Sequence, residues 1–315
     1  MGRLAYRETS AYQGALRILQ TLQEAQQEAY IVGGAVRDIQ MGRMPHDYDI
    51  VTSAMPEVVI DVLRTAGFTT TNVVGASFGV VVVSYEEHSY EVATYRSEQY
   101  GDDSHRPVAV QYPSTFLEDV RRRDFTINGL ALTESGQIRD EVGGLQDIEY
   151  RRLCTIGSSK ERFQEDALRM FRLCRFAGQL GFSIDPSTWA GIEPNLYRVE
   201  GLSLERVRIE IEKMLLSDHV DLALDALVRS HLNEQCCQQT IEGKPRRIPI
   251  LPELTHLVDL PQAPEHHVYD GWRHTLAVVK GVPQNLVLRW AALLHDVGKG
   301  VEGVRGFHNG RITDR

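Results

Sequence analysis

IVGGAVRDIQMGRMPHDYDIVTSA, residues 31–54, sets the reading of this chain. Residues 29–32 form a short apolar run that stops at Gly33-Gly34, and residues 47–51 form a second β-pattern, so the order strand, glycine turn, helix, strand is predicted. Side chains alternate along a strand, so Asp47 and Asp49, two apart, project from one face. Paired carboxylates of that kind suit two Mg²⁺ ions, because hard divalent cations take carboxylate oxygen. Glu91, in the run YEVATY at residues 90–95, is a candidate third carboxylate from a neighbouring strand. An isolated Asp-x-Asp is common without metal; Gly33 and Gly34 at a helix start raise its significance, since glycines let backbone amides approach phosphate oxygens.

Outward from this stretch, residues 10–27 carry apolar positions at helical spacing (Leu16, Leu19, Leu22) and residues 56–65 read as another helix. Residues 79–84 and 89–94 read as paired strands around a polar turn at 85–88. The segment SEQYGDDSHRP, within residues 95–113, has the composition of a mobile loop. Helical patterns then dominate, at residues 161–180, 203–216 and 220–230. Residues 242–252, rich in proline and basic side chains, read as a linker, followed by helices at 266–279 and 286–297. No internal repeat is visible.

The chain has 315 residues, 42% hydrophobic and 24% charged, which fits a folded protein with two or three cores. No apolar run reaches the length of a membrane helix and the N-terminus lacks a signal-peptide pattern, so no membrane association and a cytoplasmic location are expected. The four cysteines form no CxxC pair and read as reduced, mostly buried thiols. A net charge of −9 argues against coating nucleic acid by bulk electrostatics, so any RNA contact must be local. Residues 121–175 hold 11 Lys and Arg against 9 Asp and Glu, reversing the sign of the rest.

Three further motifs lie in or beside that basic stretch. In Arg122-Arg123-Asp124-Phe125-Thr126-Ile127-Asn128, a helix would put Asp124 and Asn128 on one face, where a carboxylate and an amide suit ribose hydroxyls and Arg123 suits phosphate. In Glu165-Asp166-Ala167-Leu168-Arg169, Asp166 and Arg169 at i, i+3 would set a hydrogen-bond acceptor beside a donor. That pair complements the amine-bearing edges of cytosine and adenine. Arg172 and Arg175 extend a basic face toward phosphate, whereas Met170, Phe171, Cys174 and Phe176 read as core. Ser203 reads as the N-cap of a scaffolding helix in which Glu205–Arg208 and Arg206–Glu210 pair along one side.

Taken together, GGxVRD followed by Asp-x-Asp, RRDFTxN, EDxxR and ERxxxE resemble the class II nucleotidyltransferases, the family of CCA-adding enzymes and bacterial poly(A) polymerases. The resemblance implies an α+β fold: a polymerase-β-like head with a mixed sheet (residues 1–150), then a mainly helical neck and body (151–242). It implies two-metal transfer of CMP and AMP from CTP and ATP to the 3′ end of tRNA. Asp47, Asp49 and Glu91 would be catalytic, the first two as Mg²⁺ ligands. Gly33, Gly34, Arg37, Asp38, Arg123, Asp124, Asn128, Asp166, Arg169, Arg172 and Arg175 would bind nucleotide. CC-only or A-only addition and poly(A) synthesis remain open alternatives, as does the oligomeric state. His274 and His295-Asp296 resemble an HD-type module (residues 250–315), which implies a second metal site and, as a reading of another class, metal-dependent phosphoester hydrolysis. That module looks partial, because Asp314 is the only aspartate after Asp296.

Overall fold

The computed structural model describes residues 5–72, 79–100, 107–111, 115–263, 268–301, 303–308 and 311–314. The chain divides into two compact units, one comprising Met1–Gly101 and Pro107–Ser158, the other continuing from Ser159.

The first unit contains strands β1 (Ala29–Val32), β2 (Asp49–Thr52), β3 (Thr69–Asn72), β4 (Val80–Tyr85), β5 (His88–Thr94), β6 (Ser97–Tyr100), β7 (Pro107–Gln111), β8 (Leu130–Leu132), β9 (Ile138–Asp140) and β10 (Arg152–Leu153). Its helices are α1 (Ser10–Glu24), α2 (Gly34–Gln40), α3 (Pro56–Thr65), α4 (Phe116–Arg121) and α5 (Gly144–Glu149). Seven strands form one mixed sheet in the order β3-β4-β5-β2-β1-β8-β9, with β2 and β5 parallel. Alternation sorts its residues onto two faces. Ile31, Ile50, Val81 and Val92 pack under Ile18, Leu19 and Leu22 of α1 and Val59 and Leu63 of α3. Val32, Val51 and Ala93 pack with Phe116 and Val120 of α4 on the other face. Each fully buried aliphatic side chain contributes about 1.5–3 kcal/mol, so a one-residue register slip is excluded by the core it would expose.

The second unit is mainly helical: α6 (Ser159–Glu165), α7 (Leu168–Leu180), α8 (Pro186–Trp189), α9 (Leu204–Leu215), α10 (Val220–Arg229), α11 (Gly271–Gly281) and α12 (Leu286–Leu294). Its strands are β11 (Ser183–Ile184) and the hairpins β12 (Cys236–Ile241) with β13 (Lys244–Pro249), and β14 (Arg305–His308) with β15 (Arg311–Asp314). α7 packs against α9 and α10. A Cβ on Gly178 would lie 2.5 Å from Ser217 Oγ and 2.6 Å from Ala223 Cβ, so only glycine lets these segments approach so closely. Among the described residues no helix is long and apolar enough to cross a membrane.

Four expectations need correction. Residues 161–180 form two helices, broken at Asp166 and Ala167. Part of the expected loop at 95–113 is a ribbon, in which β6 pairs with β7, while residues 101–106 and 112–113 lie outside the described residues. The expected linker at 242–252 is largely strand β13. A two-residue turn closes that hairpin at Glu242 and Gly243, both at positive φ (51° and 74°), as a type I′ connection demands. The helix expected at 266–279 begins at Gly271, capped by Asp270, whose side chain accepts from Arg273 N.

Candidate active site

Tyr48 and Ile50 are buried in the core under α1, which turns Asp47 and Asp49 to the opposite face, both exposed. The strand proper begins at Asp49, with Asp47 in the extended lead-in. Ile50 is in register with Val92 on parallel β5, so Asp49 and Glu91 occupy equivalent positions on neighbouring strands and share a face. The Asp49 carboxyl is pushed up to about 6 by burial, then by the charges of Asp47 and Glu91, with Arg123 pulling the other way. Since the residue retains solvent exposure, the repulsion from its two acidic neighbours is the component that a bound cation would reverse.

Gly33 sits at the N-terminus of α2 with φ 72° and ψ −134°, a conformation reserved for glycine. Positions for Cβ atoms on Gly33 and Gly34 lie 3.9 Å from Arg123 Nη1 and 3.5 Å from Arg37 Nη2, so the glycine turn is flanked by two guanidiniums. Arg37 Nη1 donates to Asn128 Oδ1 at 2.8 Å, and its Nε and Nη2 donate to Asp38 Oδ1. The first and second motifs are therefore physically joined.

RRDFTIN is not helical as expected. Thr126–Asn128 is a single 3₁₀ turn after an extended Phe125. Asp124 and Asn128 still meet, Asn128 Nδ2 donating to Asp124 Oδ1 at 3.2 Å, and Asp124 Oδ1 also accepts from Phe125 N at 2.7 Å. Sequence reading missed Asp119. It is fully buried on α4, Oδ1 accepting from Arg122 and Oδ2 from Arg123. Burial raises its carboxyl, but Arg123 and Arg122 outweigh that and hold it below the usual carboxylate range. The available signal was the i, i+3 and i, i+4 spacing to both arginines.

In the second unit, Asp166 lies at the break between α6 and α7, where its Oδ1 accepts from Leu168 N at 3.0 Å. Arg169, only 8% exposed, donates from Nη1 to Glu165 Oε2 at 2.7 Å and to Arg162 O at 3.1 Å. Asp166 Oδ2 lies 3.5 Å from Arg206 Nη2. Arg172 covers the Phe176 ring at 5.6 Å. Arg175 departs from the expected basic face: it is buried, 2.9 Å from Glu210 Oε2 and 4.5 Å over the Phe176 ring. The pairing expected along α9 is thus replaced by links between helices, Arg206 to Asp166 and Glu210 to Arg175, while Arg208 pairs with Glu212. Ser203 does cap α9, its side chain accepting from Arg206 N. Met170, Phe171 and Cys174 are core, and burial pushes the Cys174 thiol up to about 12.

His274, His295 and Asp296 converge, with candidate ligand atoms all within 4.8 Å. His274 Nε2 and His295 Nε2 lie 3.6 and 3.3 Å from Asp296 Oδ2, which also accepts from Lys299 Nζ at 2.8 Å. Asp314 lies on β15.

A mixed sheet bearing this carboxylate face beside a glycine turn and an arginine-aspartate-asparagine loop defines a nucleotidyltransferase head. Residues 29–154 match the family model described as the poly A polymerase head domain, and residues 181–239 match the probable RNA and SrmB-binding site of polymerase A. The chain is 37% identical to a CCA-adding enzyme of Bacillus licheniformis over 82% of its own length and 67% of that protein. It is 44% identical to a CCA-adding enzyme of Geobacillus sp. over 70% of its length and 54% of that protein. The crystal structure of the Bacillus stearothermophilus CCA-adding enzyme in complex with CTP is similar, with TM-score 0.65 and 39% identity, covering 71% of this chain and 53% of that one. A tRNA nucleotidyltransferase complexed with a primer tRNA and an incoming ATP analog matches with TM-score 0.59 and 26% identity, covering 89% of this chain and 75% of that one. The chain belongs to the CCA-adding enzyme family. It spans about half the length of the Geobacillus relative.

Proposed function

We propose that this chain transfers CMP and AMP from CTP and ATP to the 3′ end of tRNA. The observation that carries the reading is the exposed carboxylate face of Asp47, Asp49 and Glu91, with Asp49 pushed up by burial and then by its acidic neighbours, beside Arg123. Support comes from the relatives, one crystallised with CTP and another with primer tRNA and an ATP analog.

The cluster fits a divalent cation: three carboxylates repel one another in its absence, and all offer oxygen. Asp47 and Asp49 would hold Mg²⁺, which when bound lowers the pKa of the primer hydroxyl and offsets the charge of the triphosphate. Gly33 and Gly34 admit the triphosphate to backbone amides, and Arg123 faces its oxygens. Arg37 and Asp38 brace that turn through Asn128. Asp124 and Asn128 hold the ribose hydroxyls. The 3′-oxygen attacks the α-phosphorus, the bond to the β-phosphate oxygen breaks, pyrophosphate departs, and the hydroxyl proton passes to a carboxylate of the cluster.

Base choice belongs to Asp166 and Arg169. The carboxylate accepts from the exocyclic amine of cytosine or adenine and the guanidinium, aligned by Glu165, donates to the ring edge. Uracil and guanine would oppose acceptor to acceptor, costing about 1–3 kcal/mol in a desolvated site. Arg172 stands on the same helix as a phosphate contact, and Arg175 acts through the α7–α9 packing. The reading puts the reaction in the cytoplasm, with tRNA and free nucleotides.

Incubating the chain with tRNA ending before CCA, with CTP and ATP separately and together, tests this. Two additions with CTP alone and three with both nucleotides are expected. A long adenosine tract, or growth by C or A only, would replace CCA addition with one of the alternatives. The convergence of His274, His295 and Asp296 favours a second reading for the C-terminal segment, a divalent-metal site for phosphoester hydrolysis. If it is correct, His295→Ala abolishes hydrolysis of a 2′,3′-cyclic phosphate probe and leaves nucleotide addition intact.

A further inference from the structure

The β12–β13 hairpin, whose turn and second strand fall in the expected linker at 242–252, is the part of the second unit that the reading above leaves without a task. Its root is tied down: Cys237 is fully buried, Gln238 N donates to Leu202 O at 2.8 Å, and Ile250 N donates to Gln235 O at 3.0 Å. Beyond the root, residues 238–247 are all exposed, a two-stranded ribbon standing out from the body.

Register sorts the ribbon into two faces. Gln239 opposes Arg246 and Ile241 opposes Lys244, so these four share one face, while Gln238 with Arg247 and Thr240 with Pro245 share the other. On the second face Arg247 lies 3.4 Å from the Glu200 carboxylate, which offsets part of its charge. On the first, Lys244 and Arg246 have no ion-pair partner among the described residues. Two positions apart on one strand, they stand about 6.8 Å from each other, the order of spacing between successive phosphates of a nucleic-acid strand. None of these four residues is a carboxylate, and Glu242, in the turn at the tip, is the one acidic residue of the ribbon, within a chain whose net charge is −9.

We propose that the Gln239, Ile241, Lys244 and Arg246 face of this hairpin binds two phosphates of the tRNA backbone. The proposal rests on the chain acting on tRNA. An acidic protein repels nucleic acid except where local cations release counter-ions, and a rigid ribbon presents such cations without the entropy cost of ordering a loop. The match to the RNA-binding model ends at residue 239, inside β12, and the returning strand carries both cations beyond that match.

The test is filter binding of tRNA lacking its CCA end to the full chain, between about 50 and 200 mM KCl. Lys244→Glu with Arg246→Glu should weaken binding about tenfold or more at the lower salt and reduce the slope of log affinity against log salt by about 1.5–2. Lys244→Gln with Arg246→Gln should give a smaller loss and the same reduction in slope. Arg247→Gln should stay within about twofold, and all variants should keep the wild-type melting temperature and rate at saturating tRNA. Affinity and salt slope unchanged in both double variants would overturn the proposal, as would an equal effect of Arg247→Gln. A wild type that binds tRNA through the hairpin yet adds no nucleotide would sink the proposed activity alone. A wild type that adds nucleotides with affinity indifferent to the double variants would sink this inference alone.

Discussion

At Gly33 and Gly34 the same residue type is required for two different reasons. Gly33 holds a backbone conformation that a side chain strains, while an added Cβ meets nothing closer than 3.9 Å. Gly33→Ala should therefore cost about 1–3 kcal/mol of stability through strain alone, read as a lowered urea midpoint. Gly34 is helical and a Cβ there makes only ordinary contact. Gly34→Ala should leave the urea midpoint unchanged or slightly higher, yet raise KM for CTP about tenfold or more, because in the proposed reaction the methyl group would stand where a phosphate oxygen approaches the backbone. Asp119 is the counterpart in charge. Asp119→Asn removes the buried negative charge that Arg122 and Arg123 share and should cost about 3–5 kcal/mol. Because the folded carboxyl titrates below its unfolded range, its contribution is complete above about pH 4 and is lost as pH falls further. The stability difference between wild type and Asp119→Asn should shrink on acidification, and a constant difference down to low pH would refute the assignment.

At the scale of elements, what was legible followed local pattern. The strand before Gly33, the helix at residues 56–65 and the hairpin around residues 85–88 came from periodicity, and the structure shows each within a residue or two. Where tertiary partners decide, pattern failed. RRDFTIN has helical spacing, but Phe125 bridges Thr155 and Thr126 N donates to Cys154 O, which hold the segment extended until a single 3₁₀ turn. The expected pairs along α9 were reasonable for an isolated helix, yet Glu210 is buried against Arg175 of α7. Proline and arginine at 245–247 masked a strand that register and the Glu242-Gly243 turn make plain. Glu210→Gln should destabilise the second unit by about 3–5 kcal/mol, while Arg175→Met with Glu210→Leu should recover most of it. Urea unfolding of the three variants checks this; a negligible effect of the single substitution would mean the pair is not desolvated.

For the whole molecule, the motifs gave the family because their side chains answer to chemistry that constrains residue type and spacing together. They could not give Asp119, whose role is to hold arginines rather than to meet substrate. Composition set a further bound: a net charge of −9 leaves nucleic-acid contact to local features, and the hairpin supplies one. The acidic face of the head follows the same logic of local charge. Burial together with the charges of Asp47 and Glu91 lifts Asp49 to about 6, and the repulsion within that rise costs stability without a cation.

That trade gives the most direct test of the account, the single-turnover rate of CMP addition to tRNA by wild type and by Asp49→Asn, measured with the melting temperature of each in EDTA. The account predicts a rate lower by about a thousandfold in a variant that melts at or above the wild-type temperature. A variant that keeps the wild-type rate, or that loses it only by unfolding, would contradict the claim that this carboxylate face performs the transfer.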